Sequence, residues 1–418
     1  MGLIMRVWTI DQEADWQETL EPPLALLQKP AIAIERRRPG PPAIAILGVP
    51  FDPLTMAQAM EELECMIASR RPHYMVTANV DFLVQARRDV ELRRILAEAD
   101  LVLCDGMPLV WASRWLGNPL PERVAGADLV PQLIQAAAEK EYRLFFLGGK
   151  PEVAARAVSK LQRQFHGLII AGHYSPPFRP LSEMPNDEIV RRIRAAKPDV
   201  LLVSFGCPKA EKWMAAHYQS LGVPVVIGVG GTIDFLAGHL KRAPMWMQRS
   251  GLEWMFRLLQ EPRRLARRYG TDLWCFSWAI FRQWWSLQRR VRRARPCPPG
   301  STVVVEPTWQ RLRVPERFDR EAIDRVAPIW DERGERHCLI ELANVKFIDS
   351  TAIALLVRLE KRLRLAERQL VLLEPSETVQ HALKLMGLAD FFLTATDILE
   401  ARQVIQARLD QPGGIQAA

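Results

Sequence analysis

The stretch of residues 75–105 limits the fold of this chain more than any other. Two apolar runs, residues 75–78 and 99–104, each stop at polar residues, and residues 82–99 between them repeat apolar side chains at helical spacing. A strand, a helix and a strand in such a short stretch are typical of a βαβ unit, which requires a parallel sheet. Strands and helices alternate in the same way throughout residues 43–240. The sequence therefore predicts a three-layer α/β domain with a mostly parallel sheet.

Polar side chains stand at the ends of the two apolar runs. Thr77 lies near the end of the first run and Asn79 follows it, and Asp105 follows the second run. In parallel sheets, ligands bind outside the carboxyl ends of the strands. We therefore expect a hydroxyl, an amide and a carboxylate to share one rim of the sheet.

A glycine-rich turn farther along the chain is another candidate site. Gly148-Gly149-Lys150 follows an apolar strand and precedes a helix beginning near Pro151. A strand, a glycine turn and a helix N-terminus can hold a phosphate, although the spacing matches neither a P-loop nor a GxGxxG motif. The alternative is a tight turn with a purely structural role.

The net charge of +8 in this chain of 418 residues is concentrated in one segment. Residues 241–295 hold 14 Lys and Arg against three acidic residues, and tryptophans lie among the arginines. This composition suits the headgroup zone of an anionic membrane, with an oligomer interface or a nucleic-acid patch as alternatives. We expect a membrane-associating appendage that does not bind nucleic acid.

Other features narrow the class of protein. Six scattered cysteines without a CxxC pair favour reduced thiols in the cytoplasm over a disulfide framework or a zinc site. We expect neither a signal peptide nor a membrane-spanning helix, because no sufficiently long apolar run exists. Residues 1–42 are predicted to be an irregular N-terminal extension. Residues 296–300 form a Pro-rich linker, and residues 301–412 have the pattern of a second, smaller α/β domain.

Residues 46–270 resemble the WecG/TagA/CpsF glycosyltransferases, family 26. The resemblance is carried by several motifs in order: Thr77-Ala-Asn79, Ala99-Asp-Leu-Val-Leu-Cys-Asp105-Gly106, Arg123-Val-Ala-Gly126-Ala-Asp128, Gly206-Cys-Pro-Lys-Ala-Glu211 and Gly228-Val-Gly-Gly-Thr-Ile-Asp234. The basic appendage from Arg242 onward matches as well.

This resemblance implies an activity. Members transfer an N-acetylmannosamine-type or related hexose or uronic acid from a UDP-sugar to a sugar on a polyprenyl diphosphate, in the synthesis of cell-surface polysaccharide or exopolysaccharide. They need no metal or cofactor and work peripherally on the cytoplasmic face of the membrane.

The resemblance also implies roles for particular residues. Asp105 would be the catalytic base, with a helix N-cap as its structural alternative. Thr77 and Asn79 would position substrate, or merely satisfy polar groups at a strand end. The expected substrate-binding residues also include Arg123, Gly148, Gly149, Lys209, Glu211, Asp234, Arg242, Arg257 and Arg264.

The C-terminal domain resembles a STAS domain, the fold of anti-sigma-factor antagonists, through its element order and through Asp349-Ser350-Thr351. Ala352 stands where the family usually has Gly. The resemblance implies a protein partner and makes Ser350, with Thr351 beside it, a candidate for phosphorylation. The alternative is that both hydroxyls cap a helix. The linker predicts a module that moves relative to the enzyme.

Two other functions compete with this one. A nucleotide-cofactor oxidoreductase could use a similar sheet, but the chain lacks GxGxxG and a cofactor acid. A catalytically decayed transferase acting as a STAS scaffold would fit Ala210, which stands where the glycosyltransferase family usually has Gln. The retained Asp105, Thr77 and Asn79 argue against decay.

Overall fold

The structure, a computed structural model, describes most of the chain from residue 43 to residue 409. The described residues are 43–240, 242–291, 302–305, 309–319, 322, 336–365, 368–386 and 388–409. The predicted N-terminal extension, residues 1–42, and the predicted linker, residues 296–300, lie outside them.

The first described segment is an antiparallel hairpin. Strand β1 (Ile44–Ile46) turns at Leu47 and Gly48, which both have positive φ, and pairs with strand β2 (Val49–Phe51). Helix α1 (Met56–Ser69) follows, and Thr55 caps it in a capping box with Gln58.

A six-stranded parallel sheet forms the centre of the first domain, and this confirms the predicted fold class. Its order is β4-β3-β8-β7-β5-β6. Both faces are covered by apolar helices, so the strands are buried on both sides. The strands are β3 (His73–Ala78), β4 (Leu101–Cys104), β5 (Arg143–Gly148), β6 (Ile169–Tyr174), β7 (Val200–Ser204) and β8 (Val225–Gly228).

The helix predicted over residues 82–99 is two helices. Helix α2 (Val80–Ala86) ends at Arg87, and helix α3 (Val90–Glu98) begins after Asp89. The Asp89 carboxylate accepts a hydrogen bond from the Leu92 N–H at 2.9 Å, which starts a new helix. The remaining helices of this domain are α4 (Met107–Trp115), α5 (Gly126–Lys140), α6 (Pro151–Gln164), α7 (Asn186–Ala196), α8 (Lys209–Leu221) and α9 (Thr232–Leu236).

The basic segment is helical in the structure. It contains α10 (Met245–Arg249), α11 (Glu253–Gln260) and the long α12 (Pro262–Val291). Among the described residues, no helix combines the length and apolar character needed to cross a bilayer.

The C-terminal α/β domain has a five-stranded sheet in the order β15-β14-β12-β10-β9, in which β9 alone is antiparallel to its neighbour. Its strands are β9 (Thr302–Val305), β10 (Trp309–Arg313), β12 (His337–Glu341), β14 (Leu370–Leu373) and β15 (Leu393–Ala395), with the short pair β11 (Arg317–Phe318) and β13 (Phe347–Ile348) beside it. Its helices are α13 (Ser350–Leu365), α14 (Glu377–Met386) and α15 (Ile398–Leu409).

Candidate active site

A cavity of about 890 Å³ lies at the carboxyl ends of β3, β4 and β8. Thr77, Asn79 and Asp105 line it together, as the sequence predicts. The Thr77 hydroxyl donates to the Gly228 carbonyl at 3.4 Å, which joins the ends of β3 and β8. The Asn79 side-chain oxygen accepts from the Asp81 N–H at 3.0 Å and so caps α2. The cap fixes the Asn79 side chain at the cavity wall.

Asp105 lies where β4 ends. Its backbone N–H donates to the Ala78 carbonyl at 2.9 Å, which holds it beside the end of β3. Gly106 occupies the N-cap position of α4, so the Asp105 carboxylate is not used as a helix cap. The pKa of Asp105 is raised to about 6, mainly by burial; Arg123 and Arg257 oppose the shift, and Glu253 and Asp128 add to it. A carboxylate in this environment is a proton acceptor tuned toward neutral pH.

Ion pairs between two arginines and two carboxylates connect the appendage to the transferase domain near the start of α5. Arg123 pairs with Asp128 at 2.6 Å and with Glu253 at 2.9 Å. Arg242 pairs with the same two carboxylates, each at 2.9 Å. Both arginines were expected to bind substrate, but their nearest charged partners are these protein carboxylates.

Arg257 differs from these two arginines. It lines the cavity from α11, and its guanidinium lies 5.4 Å from the centre of the Phe235 ring. A Cβ built on Gly231 would meet an Arg257 nitrogen at 3.5 Å, so the guanidinium sits beside the glycine turn after β8. Within the described residues, no ion pair joins Arg257 to a carboxylate. Asp234 lines the cavity at the same turn.

Glu211 and Ala210 line the cavity from the start of α8. Glu211 is 2% exposed, and burial raises its pKa to about 7. One oxygen of Glu211 has no hydrogen-bond partner within the described structure. Ala210 is buried.

Lys209, Gly148 and Gly149, like Arg242, do not line this cavity. The Lys209 ammonium donates to the Arg179 carbonyl and lies over the rings of Phe178 and Phe205. The Gly149 N–H donates to the Ser204 carbonyl at 3.1 Å, and a Cβ on Gly148 would lie 2.5 Å from the same oxygen. The Gly148-Gly149 turn therefore packs against the end of β7. This packing agrees with the alternative of a tight turn with a purely structural role.

The remaining predicted residues lie elsewhere or are only partly described. Arg264 is on α12 and Ser350 begins α13, but the side chains of both lie outside the described part of the structure. Thr351 is 2% exposed, which shields its hydroxyl from modification in the folded state. Asp349 provides the helix cap, because its carboxylate accepts from the Ala352 N–H at 2.8 Å.

Sequence reasoning missed a second charged group in the cavity wall. Arg268 of α12 pairs with Asp81 at 2.7 Å and lies 3.7 Å from Asp272. Burial raises the pKa of Asp272 to about 6. The sequence signal was the acidic Asp81 two residues after Asn79, in a segment whose other residues are mainly apolar.

Trp111 and Trp115 of α4 add an aromatic wall to the cavity, and Trp115 stacks on Trp284 with ring centres 5.3 Å apart.

A half-buried carboxylate and nearby arginines in a cavity at the carboxyl edge of a parallel sheet suit group transfer with an anionic leaving group. The sequence model of the "Glycosyl transferase WecG/TagA/CpsF family" matches residues 44–290, and the STAS domain model matches residues 320–401. The chain belongs to the WecG/TagA/CpsF glycosyltransferase family and carries a C-terminal STAS domain.

Curated relatives share the first of these regions. Proteins from Staphylococcus aureus strains MW2 and NCTC 8325 are each 28% identical over 254 residues, covering 60% of this chain and 96% of the relative. Both are named N-acetylglucosaminyldiphosphoundecaprenol N-acetyl-beta-D-mannosaminyltransferase. A solved STAS domain protein from Planctomyces limnophilus is 22% identical with a TM-score of 0.24, covering 25% of this chain and 97% of that one.

Proposed function

We propose that this glycosyltransferase moves an N-acetylmannosamine-type or related sugar from a UDP-sugar to a sugar carried on a polyprenyl diphosphate. The observation that carries the proposal is the placement of Asp105, a half-buried carboxylate with a pKa raised to about 6, near Arg257 in the cavity. The names of the Staphylococcus aureus relatives support the lipid-linked acceptor and the type of sugar.

Asp105 acts as the general base in this proposal. An acceptor hydroxyl must lose its proton as its oxygen attacks the anomeric carbon of the donor sugar. A carboxylate held at the end of a buried strand can take that proton, and a pKa raised toward neutrality makes it a stronger acceptor. Thr77 and the amide nitrogen of Asn79 would position the reacting sugars.

Arg257 stabilises the leaving diphosphate. The bond from the anomeric carbon to the diphosphate oxygen breaks as the new glycosidic bond forms, so negative charge grows on UDP. Arg123 and Arg242 are occupied by Asp128 and Glu253. We therefore assign the diphosphate to Arg257 and a positioning role, holding the appendage over the cavity, to Arg123 and Arg242.

Ala210 bears on specificity. Its buried methyl lines the cavity where relatives usually have a longer amide side chain. The smaller residue leaves room in the cavity without displacing Asp105, which favours a changed donor or acceptor sugar over loss of activity.

The activity is tested by incubating pure protein with a panel of UDP-sugars and a soluble polyprenyl-diphosphate-sugar analogue, with and without EDTA. We expect one donor to give product and EDTA to leave the rate unchanged. No transfer with any donor would contradict the proposed activity, and loss of transfer on chelation would contradict the metal-free mechanism.

The appendage holds the enzyme on an anionic membrane at the cytoplasmic face. Trp246, Trp274 and Trp278 are exposed on its helices, Trp274 by 77%, beside the basic residues of α12. Interfacial aromatic rings and basic side chains favour the headgroup zone. Anionic liposomes should sediment the wild type, less so at high salt. A Trp246→Ser/Trp274→Ser/Trp278→Ser variant should bind several-fold more weakly, and equal binding would contradict the assignment.

The STAS domain binds protein in this proposal, and Ser350 is its candidate phosphorylation site. Phosphate at the start of α13 would add negative charge beside Asp349. If Ser350→Asp and Ser350→Ala retain the same partners from cell extract, the proposed switch is wrong.

A further inference from the structure

The STAS domain packs closely on the transferase domain through one face of α13. Ala354 of α13 is fully buried in a cluster with Ala43 and Ala45, which flank the start of β1. Ala97 of α3, also fully buried, belongs to the hydrophobic core of the STAS domain. Alanines on both sides allow the backbones to approach closely, so the contact is a packed interface.

Charges along the same helix complement the transferase surface. Arg358 pairs with Asp52, and Arg364 pairs with Glu98 at 3.2 Å. The Lys361 ammonium lies between them and donates to the Ala99 carbonyl. Burial lowers the pKa of Lys361 to about 8, although the nearby Asp52, Asp100 and Glu98 oppose the shift. Three basic residues of one helix therefore face an acidic surface at the start of β4.

The β1–β2 hairpin closes the interface on a second side. Gly48, at the hairpin turn, has a φ of +86°, and a Cβ on it would lie 2.4 Å from the Met386 carbonyl oxygen at the end of α14. This approach leaves no room for a side chain at residue 48.

The interface is connected to the strand that carries Asp105. The Asp52 N–H donates to the Val102 carbonyl at 2.9 Å, and the Asp52 carboxylate accepts from the Val102 N–H at 2.9 Å. Val102 is in β4, three residues before Asp105, and Ala99 lies just before the same strand. Helix α13 therefore holds β4 at its start through Lys361 and near its middle through Arg358 and Asp52.

The hairpin also reaches the appendage. The Leu47 N–H donates to the Gln283 side-chain oxygen of α12 at 3.1 Å. Phe276 and Ile280 of the same helix line the cavity. The residue next to Gly48 thus touches the helix that forms one wall of the active site.

We propose that the transferase domain of the same chain is a binding partner of the STAS domain, and that docking through α13 holds β4 and α12 in the arrangement that transfer requires. The docking stands on the interface alone, and its effect on turnover rests on the function proposed above.

Docking is tested with the full-length protein carrying a protease site inserted within residues 296–300. After cleavage, the two wild-type fragments should co-elute in size-exclusion chromatography. Elution of the wild-type fragments as two separate species would overturn the docking.

Two pairs of variants test the named contacts from both sides. Gly48→Ala introduces the clash with Met386, and Gly117→Ala is its control, because Gly117 has a similar φ of +84° and a Cβ added there would meet nothing within 4 Å. Lys361→Glu reverses the charge at the interface, and Lys384→Glu reverses a charge at an exposed position of α14. The fragments should separate in Gly48→Ala and Lys361→Glu and stay together in both controls. Co-elution in all four variants would overturn the assigned contacts.

The link to catalysis is tested by turnover in the same cleaved samples. Separation of the fragments should lower kcat by about 3- to 30-fold, the range of coupling between linked sites. An unchanged kcat after separation would overturn the link to β4 while leaving the docking intact. A wild type without transfer activity would instead contradict the proposed function, since the elution test does not depend on activity.

Discussion

The ends of β4 and β5 look alike in sequence and do different things. Each strand stops at a glycine-containing turn, Asp105-Gly106 or Gly148-Gly149, and each leads into a helix with a proline in its first turn. The end of β4 opens onto the cavity, and Asp105 lines it. The end of β5 is closed by the Ser204 carbonyl of the neighbouring strand.

The difference comes from strand order. The cavity lies where the chain passes from β3 to β4 on one side of the sheet while β8 pairs with β3 on the other. Neighbouring connections diverge at such a point and leave a crevice. Strand β5 lies between β7 and β6, away from this point, and its turn packs against β7. A strand followed by a glycine turn and a helix therefore indicates a binding site only where the strand order leaves a crevice at the end of the strand.

The largest expected effect on turnover comes from a substitution at the end of β4. Asp105→Asn removes the base and keeps the shape, so kcat should fall by about 10²-fold or more. Lys150→Ala, at the exposed start of α6 after β5, should change kcat by less than about twofold. Steady-state kinetics of both variants check this, and near wild-type turnover for Asp105→Asn would remove it from the mechanism.

Arg257→Ala should have the next largest effect. Loss of the cation beside the diphosphate should lower kcat/KM by about 10- to 100-fold, because negative charge grows there in the transition state. Arg263→Ala, at an exposed position on α12, is the control and should behave as the wild type. Equal kcat/KM values for the two variants would contradict the assignment of the diphosphate to Arg257.

The pH dependence of kcat/KM and of stability should reflect the ionisation of Asp105. The base acts only when ionised, so kcat/KM should rise about tenfold per pH unit below pH 6 and level off above it. Because the folded state binds this proton more tightly than the unfolded state, the contribution of Asp105 to wild-type stability falls as pH rises from about 4 to 6. Asp105→Asn lacks this loss, so its stability relative to the wild type should increase over that interval. Denaturant unfolding at several pH values measures the difference, and a constant difference would contradict the raised pKa.

The smallest effect on chemistry is expected at β5. Gly148→Ala places a Cβ 2.5 Å from the Ser204 carbonyl oxygen and should lower the free energy of unfolding by about 1–3 kcal/mol. The kcat of the folded protein should stay within about twofold of the wild type. A large drop in kcat for a stably folded Gly148→Ala would reinstate the turn as a phosphate site.

The STAS domain shows what a linker's composition leaves open. The Pro-rich linker predicts a module that moves relative to the enzyme, and the structure packs Ala97 of the transferase in the STAS core and Lys361 against Ala99. A linker's composition describes the connecting chain alone. Whether two domains dock depends on complementary surfaces, here Arg358, Lys361 and Arg364 against an acidic strand edge.

The sequence by itself determined the parallel α/β fold, the second α/β domain and the gathering of Thr77, Asn79 and Asp105. These follow from periodicity and from the rule that parallel strands share one carboxyl edge. Tertiary structure alone decided which glycine turn opens a cavity, which arginines are neutralised by carboxylates, and that Arg268, Asp81 and Asp272 share the wall. Those outcomes depend on contacts between residues far apart in the chain, and no local pattern encodes such distances.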